Sequence, residues 1–168
     1  MKAIIYTSNT GSTAEYAQLL GKELNLPVHS LQQAKNKVPA GSEIIYLGWI
    51  MAGGIKGYKE AAKLYKVRAV CGVGMGQTGT QLKEVRDKNA IPQRIPLFTL
   101  QGNFDVKKLH GVYRFMMNVM VKTAGKGLAN KTDRTPEEDD MLDMMINGGK
   151  RVSLQNLKAV TKWYKSLN

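Results

Sequence analysis

The amino-acid sequence predicts an α/β fold built on a parallel sheet with helices covering both faces. Three observations lead to it. Short apolar segments recur at residues 3–6, 27–31, 42–49, 67–73 and 95–100. Segments of helical spacing lie between them, and strands joined by helical crossovers pair in parallel and are buried on both sides. The first apolar segment also runs straight into a loop of hydroxyl, amide and glycine residues, where a helix pattern begins.

Taken in order, residues 3–6 form the first strand, and Ala14, Ala17, Leu20 and Leu24 line one face of the helix after it. Residues 27–31 are a short second strand. Glu-Ile-Ile-Tyr-Leu-Gly-Trp within residues 42–49 reads as a buried third strand, and residues 53–65 pass from loop to helix. Residues 67–73 give a fourth strand, 80–88 a helix, and 95–100 a fifth strand.

Beyond Gly102, 66 residues remain, more than a single closing helix needs. His110, Arg114, Asn118 and Lys122 recur every fourth position, while Leu109, Val112, Tyr113, Phe115, Met116, Met117, Val119, Met120 and Val121 fill the other sides. This predicts a helix over 109–124 whose apolar circumference exceeds what one sheet face can cover. Thr135-Pro136-Glu137-Glu138 predicts a capping box with Pro at the first helical position, and Gly148-Gly149 ends that helix. Ser153 opens a terminal helix that should cover the sheet with Leu157, Val160, Tyr164 and Leu167. The expectation is one domain over residues 1–168, with residues 103–150 as a helical insertion inside it.

The chain carries 25 basic and 13 acidic side chains, a formal charge of +12. Residues 1–102 hold 13 basic and 6 acidic side chains and the remainder 12 and 7, so the excess is spread and is not a detachable tail. Such a balance points to anionic partners, either acidic proteins or anionic lipid surfaces. Nucleic acid is not expected, because no helix-turn-helix, zinc-finger or aromatic RNA-binding pattern is present. The single cysteine, Cys71, cannot form an internal disulfide, and no apolar run approaches the ~20 residues of a spanning helix. A cytoplasmic protein follows as the expectation, with peripheral contact at the inner face of the membrane as a further option.

The first loop carries the chemistry. Ser8, Asn9, Thr10, Gly11, Ser12 and Thr13 offer hydroxyl donors, backbone N–H groups that can approach closely, and a helix N-terminus, which together suit a phosphate monoester. No Lys stands at the Walker position and no G-x-G-x-x-G spacing is present, so neither a nucleotide-hydrolysing loop nor a dinucleotide fingerprint fits. A competing use of Ser12 or Thr13 is simply to cap the helix.

Ser8-Asn9-Thr10-Gly11-Ser12-Thr13 matches T/S-x-T-G-x-T at every fixed position, and in this the chain resembles the flavodoxins, which wrap the phosphate of FMN in that loop. The resemblance implies a three-layer sandwich with a five-stranded parallel sheet in the order 2-1-3-4-5, and a cofactor at the carboxyl ends of the strands. It places the isoalloxazine between the loop after the third strand, Trp49-Ile50-Met51-Ala52-Gly53-Gly54, and the loop after the fourth, Gly74-Met75-Gly76-Gln77. Trp49 is the aromatic group able to stack there, Met51 or Met75 is an apolar neighbour, and Gly53 and Gly54 can turn a backbone group toward the flavin. The other reading of these residues is a core tryptophan and ordinary turns.

Tyr113-Arg114-Phe115-Met116-Met117-Asn118-Val119-Met120-Val121-Lys122-Thr123-Ala124-Gly125-Lys126 is similar to a segment of the flavodoxin-like, menaquinone-dependent protoporphyrinogen oxidases. Those proteins place a Met-rich apolar helix after the fifth strand, then a Thr-Gly-Gly-like turn and a closing helix. The acidic residues 136–143 depart from that pattern. The resemblance implies an FMN-dependent oxidoreductase that moves electrons from a reduced organic donor, such as protoporphyrinogen, to a quinone-type acceptor, with the chemistry on FMN rather than on a catalytic side chain. The alternative is a soluble one-electron carrier that docks on an acidic partner protein, with helix 109–124 meeting a partner, a membrane or a second copy.

Other candidates are weaker. His29 and His110 have no metal-ligand spacing, Cys71 sits in an apolar strand as a buried thiol, and Asp139-Asp140 suit a helix start. No metal site is expected.

Overall fold

The computed structural model describes residues 1–103 and 111–167 and, within 111–124, the side chains of Phe115, Asn118, Val119, Val121, Lys122 and Thr123. β1 (Ala3–Thr7) is an apolar run buried along most of its length and leads through the hydroxyl-rich loop to α1 (Ser12–Leu24). β2 (Val28–Ser30) follows. Residues 27–31 read as a strand, but the chain turns at Ser30, whose hydroxyl accepts from Gln33 N–H at 3.3 Å while the Gln33 side chain accepts from Ser30 N–H at 3.2 Å. That capping box starts α2 (Leu31–Lys37), a helix absent from the sequence expectation.

β3 (Glu43–Met51) continues past Trp49 and pairs antiparallel with β4 (Gly54–Ile55), then α3 (Tyr58–Leu64) follows. β5 (Lys66–Gly74), α4 (Leu82–Asn89) and β6 (Leu97–Gln101) complete the sheet. Its order is β2-β1-β3-β5-β6, with every pair in that path parallel and β4 attached to the end of β3. Counting only the parallel strands, this is the expected 2-1-3-4-5 order.

The sheet is the middle of three layers. On one face Ile5, Ile44, Tyr46 and Val70 pack with Leu31 and Ala34 of α2, Tyr58 and Ala61 of α3, and Val85 of α4. On the other, Ile4, Ile45, Leu47, Cys71 and Leu100 pack with Tyr16, Ala17 and Leu20 of α1. Leu157, at the end of a 3-10 turn (Leu154–Leu157), and Val160 of α7 (Lys158–Lys165) complete that second core. Of the four residues expected to cover the sheet, Leu157 and Val160 are buried, Tyr164 is half-buried, and Leu167 is exposed because α7 ends at Lys165. Cys71 lies wholly inside, where burial pushes its thiol up to about 12, so it is a packing residue at neutral pH.

Two departures bear on function. The inward face of α1 is Ser12, Thr13, Tyr16, Ala17, Leu20, Gly21 and Leu24, with Ala14 only half-buried. The helix is thus rotated so that the last two hydroxyl residues of the loop point into the protein. α5 (Gly111–Asn130) runs past Thr123-Ala124-Gly125, where a turn was expected. Gly125 is buried there, and a Cβ on it would reach the Met145 sulfur at 4.0 Å, so the glycine admits a neighbouring helix rather than ending its own. That neighbour is α6 (Pro136–Asn147), capped by Thr135 and Glu138 as the sequence implied. Leu109 and His110, and the side chains of Val112, Tyr113, Arg114, Met116, Met117 and Met120, lie outside the described residues.

Candidate functional site

The loop after β1 ends at Gly11, whose φ of +104° belongs to the left-handed region and whose missing Cβ would stand in open space. Gly11 is the N-cap of α1 and no side chain caps the helix, so neither Ser12 nor Thr13 serves that purpose. Among the described residues the N–H groups of the first turn therefore lack side-chain partners, and they carry the positive end of the helix dipole. Ser8 Oγ accepts from Gly11 N–H at 3.2 Å and closes the loop on itself. Asn9 is exposed and Thr10 half-buried, and neither side chain has a hydrogen bond among the described residues.

Thr13 is the decisive residue of this loop. It is 1% exposed, and its Oγ1 is a buried polar atom with no hydrogen-bond partner among the described residues. Leaving a buried hydroxyl unmatched costs about 1 to 3 kcal/mol, so such an atom calls for an explanation. An acceptor placed in the loop supplies one. The open space at Gly11, the uncapped helix start and the orphaned hydroxyl together fit a phosphate monoester held by neutral donors. The residues present therefore fit FMN at its phosphate end.

Ser12 is used differently. Its Oγ accepts from Asn103 N–H at 3.0 Å, which joins the loop to the chain leaving β6. Asn103 also donates to Glu15 at 3.1 Å, and its side-chain oxygen accepts from Arg151 N–H at 2.6 Å and Val152 N–H at 3.0 Å. Gly102 fits between Val73 and Ser12, since a Cβ there would meet Val73 Cγ1 at 3.0 Å and Ser12 Cβ at 3.2 Å. Asn103 and Gly102 were missed as site residues; the Gln101-Gly102-Asn103 turn directly after a strand was the available signal.

The segment after β3 is a hairpin rather than an open loop. Ile50 and Met51 are strand residues, and Ala52 and Gly53 form a two-residue turn with φ of +47° and +75°. The side chain of Asn89 fastens it: Oδ1 accepts from Ile55 N–H at 2.7 Å, and Nδ2 donates to the carbonyls of Gly53 and Val85 at 2.8 and 2.7 Å. The Gly53 carbonyl is thereby committed to the protein. Trp49 is half-buried at the carboxyl end of β3, opposite Val73 of β5, and the Lys56 ammonium lies 5.7 Å from its ring centroid.

At the end of β5, Gly74 accepts from Gly102 N–H at 2.7 Å, while Met75, Gly76 and Gln77 lead into a turn folded against β6. Thr80 Oγ1 donates to Gln77 O at 2.7 Å, Thr99 Oγ1 to Thr80 O at 2.7 Å, and Gln101 N–H to Thr78 Oγ1 at 3.0 Å. The loops after β1, β3 and β5 thus all stand at the carboxyl edge of the sheet. The contact of Gly102 with Ser12 and Val73 joins the first and last of them.

A hydroxyl network links the base of the first loop to the hairpin. Tyr46, fully buried, lies 2.7 Å from Thr7 Oγ1 and donates to Lys56 O at 2.7 Å, and burial raises its hydroxyl pKa so that it stays protonated. Thr7 immediately precedes Ser8, so both sides of the site rest on one phenol.

Outside the sheet, Gln101 donates to Asp140 at 2.6 Å and Arg151 binds Asp140 at 3.0 Å, which docks α6 and buries Met144. On α5, Phe115 and Val119 stand one turn apart and are 70% and 45% exposed, with Lys122 exposed beside them. Among the described residues no helix is long and apolar enough to cross a membrane, and no three His, Cys, Asp or Glu side chains gather as metal ligands.

The family model described as "Flavodoxin domain" matches residues 3–131. No curated protein and no solved structure matches the chain. The match runs from the first residue of β1 through the complete sheet to the end of α5, and the strand order agrees with it; the chain belongs to the flavodoxin-domain family.

Proposed function

We infer that the protein binds FMN, with the phosphate in the loop of residues 8–13 and the isoalloxazine between the Trp49–Lys56 hairpin and residues 74–77. The orphaned hydroxyl of Thr13, buried beside an uncapped helix start, is the observation that carries this reading. Flavodoxin domains characteristically bind FMN, which agrees with it. Bound FMN supplies the redox chemistry, accepting electrons from a reduced organic donor and releasing them to an acceptor. The chain's own part is to hold the phosphate, fix the ring against Trp49 and exclude water from one side of it.

The donor proposed is a porphyrinogen-type substrate and the acceptor a quinone, as in the menaquinone-dependent protoporphyrinogen oxidases that residues 113–126 resemble. A surface of charge +12 suits a substrate that bears carboxylates. Purified protein should carry FMN by its absorbance spectrum, bind FMN more tightly than riboflavin, and couple protoporphyrinogen oxidation to quinone reduction. Native protein holding FAD, or no flavin, would sink the FMN reading. One-electron exchange with a carrier protein, without quinone turnover, would favour the soluble carrier instead.

The exposed pair Phe115 and Val119 favours a docking role for α5 at an anionic membrane surface, where the partner quinone resides. Full burial of such side chains contributes roughly 1.5 to 3 kcal/mol each, and nearby Lys122 and Lys126 add attraction that salt screens. Co-sedimentation with anionic vesicles at low salt is expected, and Phe115→Ser with Val119→Ser should weaken it while leaving FMN binding intact. A protein that ignores vesicles but runs as a salt-resistant dimer would make this face a subunit contact.

A further inference from the structure

Trp49 and Lys56 face each other across the hairpin. Ile50 pairs with Ile55 and Met51 with Gly54, and Lys56 N–H donates to Trp49 O at 3.0 Å, so the register extends one step and sets both side chains on one face. Strand alternation identifies that face. Ile55 belongs to the core under α2, α3 and α4, with Ile50 packed against it, and a Cβ on Gly48 would strike the Ile55 side chain. Trp49 and Lys56 therefore stand on the opposite side of the pleat, the side of α1 and Thr13.

The backbone that carries the cation is held in place. Its residue's N–H is bound to Trp49 and its carbonyl accepts the Tyr46 hydroxyl, so little freedom remains except along the lysine stem. Among the described residues no ion pair includes Lys56. A half-buried ammonium with no carboxylate partner among the described residues thus sits over the aromatic face that the isoalloxazine would share.

We propose that Lys56 selects for reduced over oxidised FMN at this site, and so raises the cofactor's midpoint potential. The inference rests on the FMN reading above. At neutral pH the oxidised ring takes two electrons and one proton from the donor, so the ring gains one negative charge. An ammonium beside the ring would stabilise that anion and do little for the neutral ring. Such a site favours withdrawal of an electron pair from an organic substrate over service as a low-potential carrier.

The test compares native, Lys56→Gln and Lys56→Arg proteins loaded with FMN and titrated with dithionite beside a reference dye. Lys56→Gln should lower the affinity for reduced FMN relative to oxidised FMN about tenfold, a fall of about 30 mV for a two-electron couple, and Lys56→Arg should restore most of it. The gap should shrink in high salt. Loss of packing alone would weaken both oxidation states together and would not follow the charge. An unchanged potential in Lys56→Gln, with FMN still bound, overturns the role of Lys56 and leaves the FMN reading standing. Failure of all three proteins to bind FMN overturns both.

Discussion

Replacement of Thr13 by Val is expected to move two measurements in opposite directions. In the flavin-free protein it exchanges a buried hydroxyl with no partner among the described residues for a methyl of nearly the same shape, so the unfolding midpoint should rise, by about 1 kcal/mol of stability. In FMN binding it removes a donor from the phosphate, and affinity should fall by roughly 1 to 3 kcal/mol, or about 5- to 150-fold. Riboflavin, which has no phosphate, should bind both forms alike. Denaturation of the apoprotein and titration with the two flavins read these effects separately. Equal FMN affinity in the variant would show that the Thr13 hydroxyl does not meet the phosphate.

The second large effect is expected at Gly57. Its φ is +78°, and an added Cβ would collide with the Tyr46 hydroxyl and Thr7 Oγ1. Those atoms belong to a buried network and cannot move aside without breaking the bond from Tyr46 to Lys56 O. Left-handed strain of about 1 to 2 kcal/mol adds to overpacking of about 1 to 3, so Gly57→Ala should cost roughly 2 to 5 kcal/mol. That is a large share of an ordinary domain's stability of about 5 to 15 kcal/mol. Gly41→Ala is the matched control, because Gly41 has φ +75° with nothing near its missing Cβ and should cost only the strain. Urea midpoints that fall equally for both would remove the packing argument.

What the sequence made legible and what it hid have physical causes. The strands could be read because both sheet faces are buried, which demands unbroken apolar runs such as Ile44 to Leu47. The first loop could be read because phosphate-type donors are a distinct residue class. The hairpin after β3 was hidden for the opposite reason. Ala52 is an unusual choice for a left-handed turn, and the clamp that holds it, Asn89, lies on α4, distant in sequence. The burial of Thr13 depended on the rotation of α1, which Ala14 misstates by periodicity alone. At Gly125 a residue that ordinarily breaks helices proved to be a point of helix contact.

The hub at Asn103 sets how the chain is strung. One side chain binds the backbone of Arg151 and Val152 while its own N–H binds Ser12, so the polypeptide departs from the sheet and rejoins it at a single point. The stretch between Asn103 and Arg151 therefore begins and ends at one side chain. A change of chain length between these two points is expected to leave the path from β6 to α7, and with it the first loop, in place as long as Asn103 keeps its bonds.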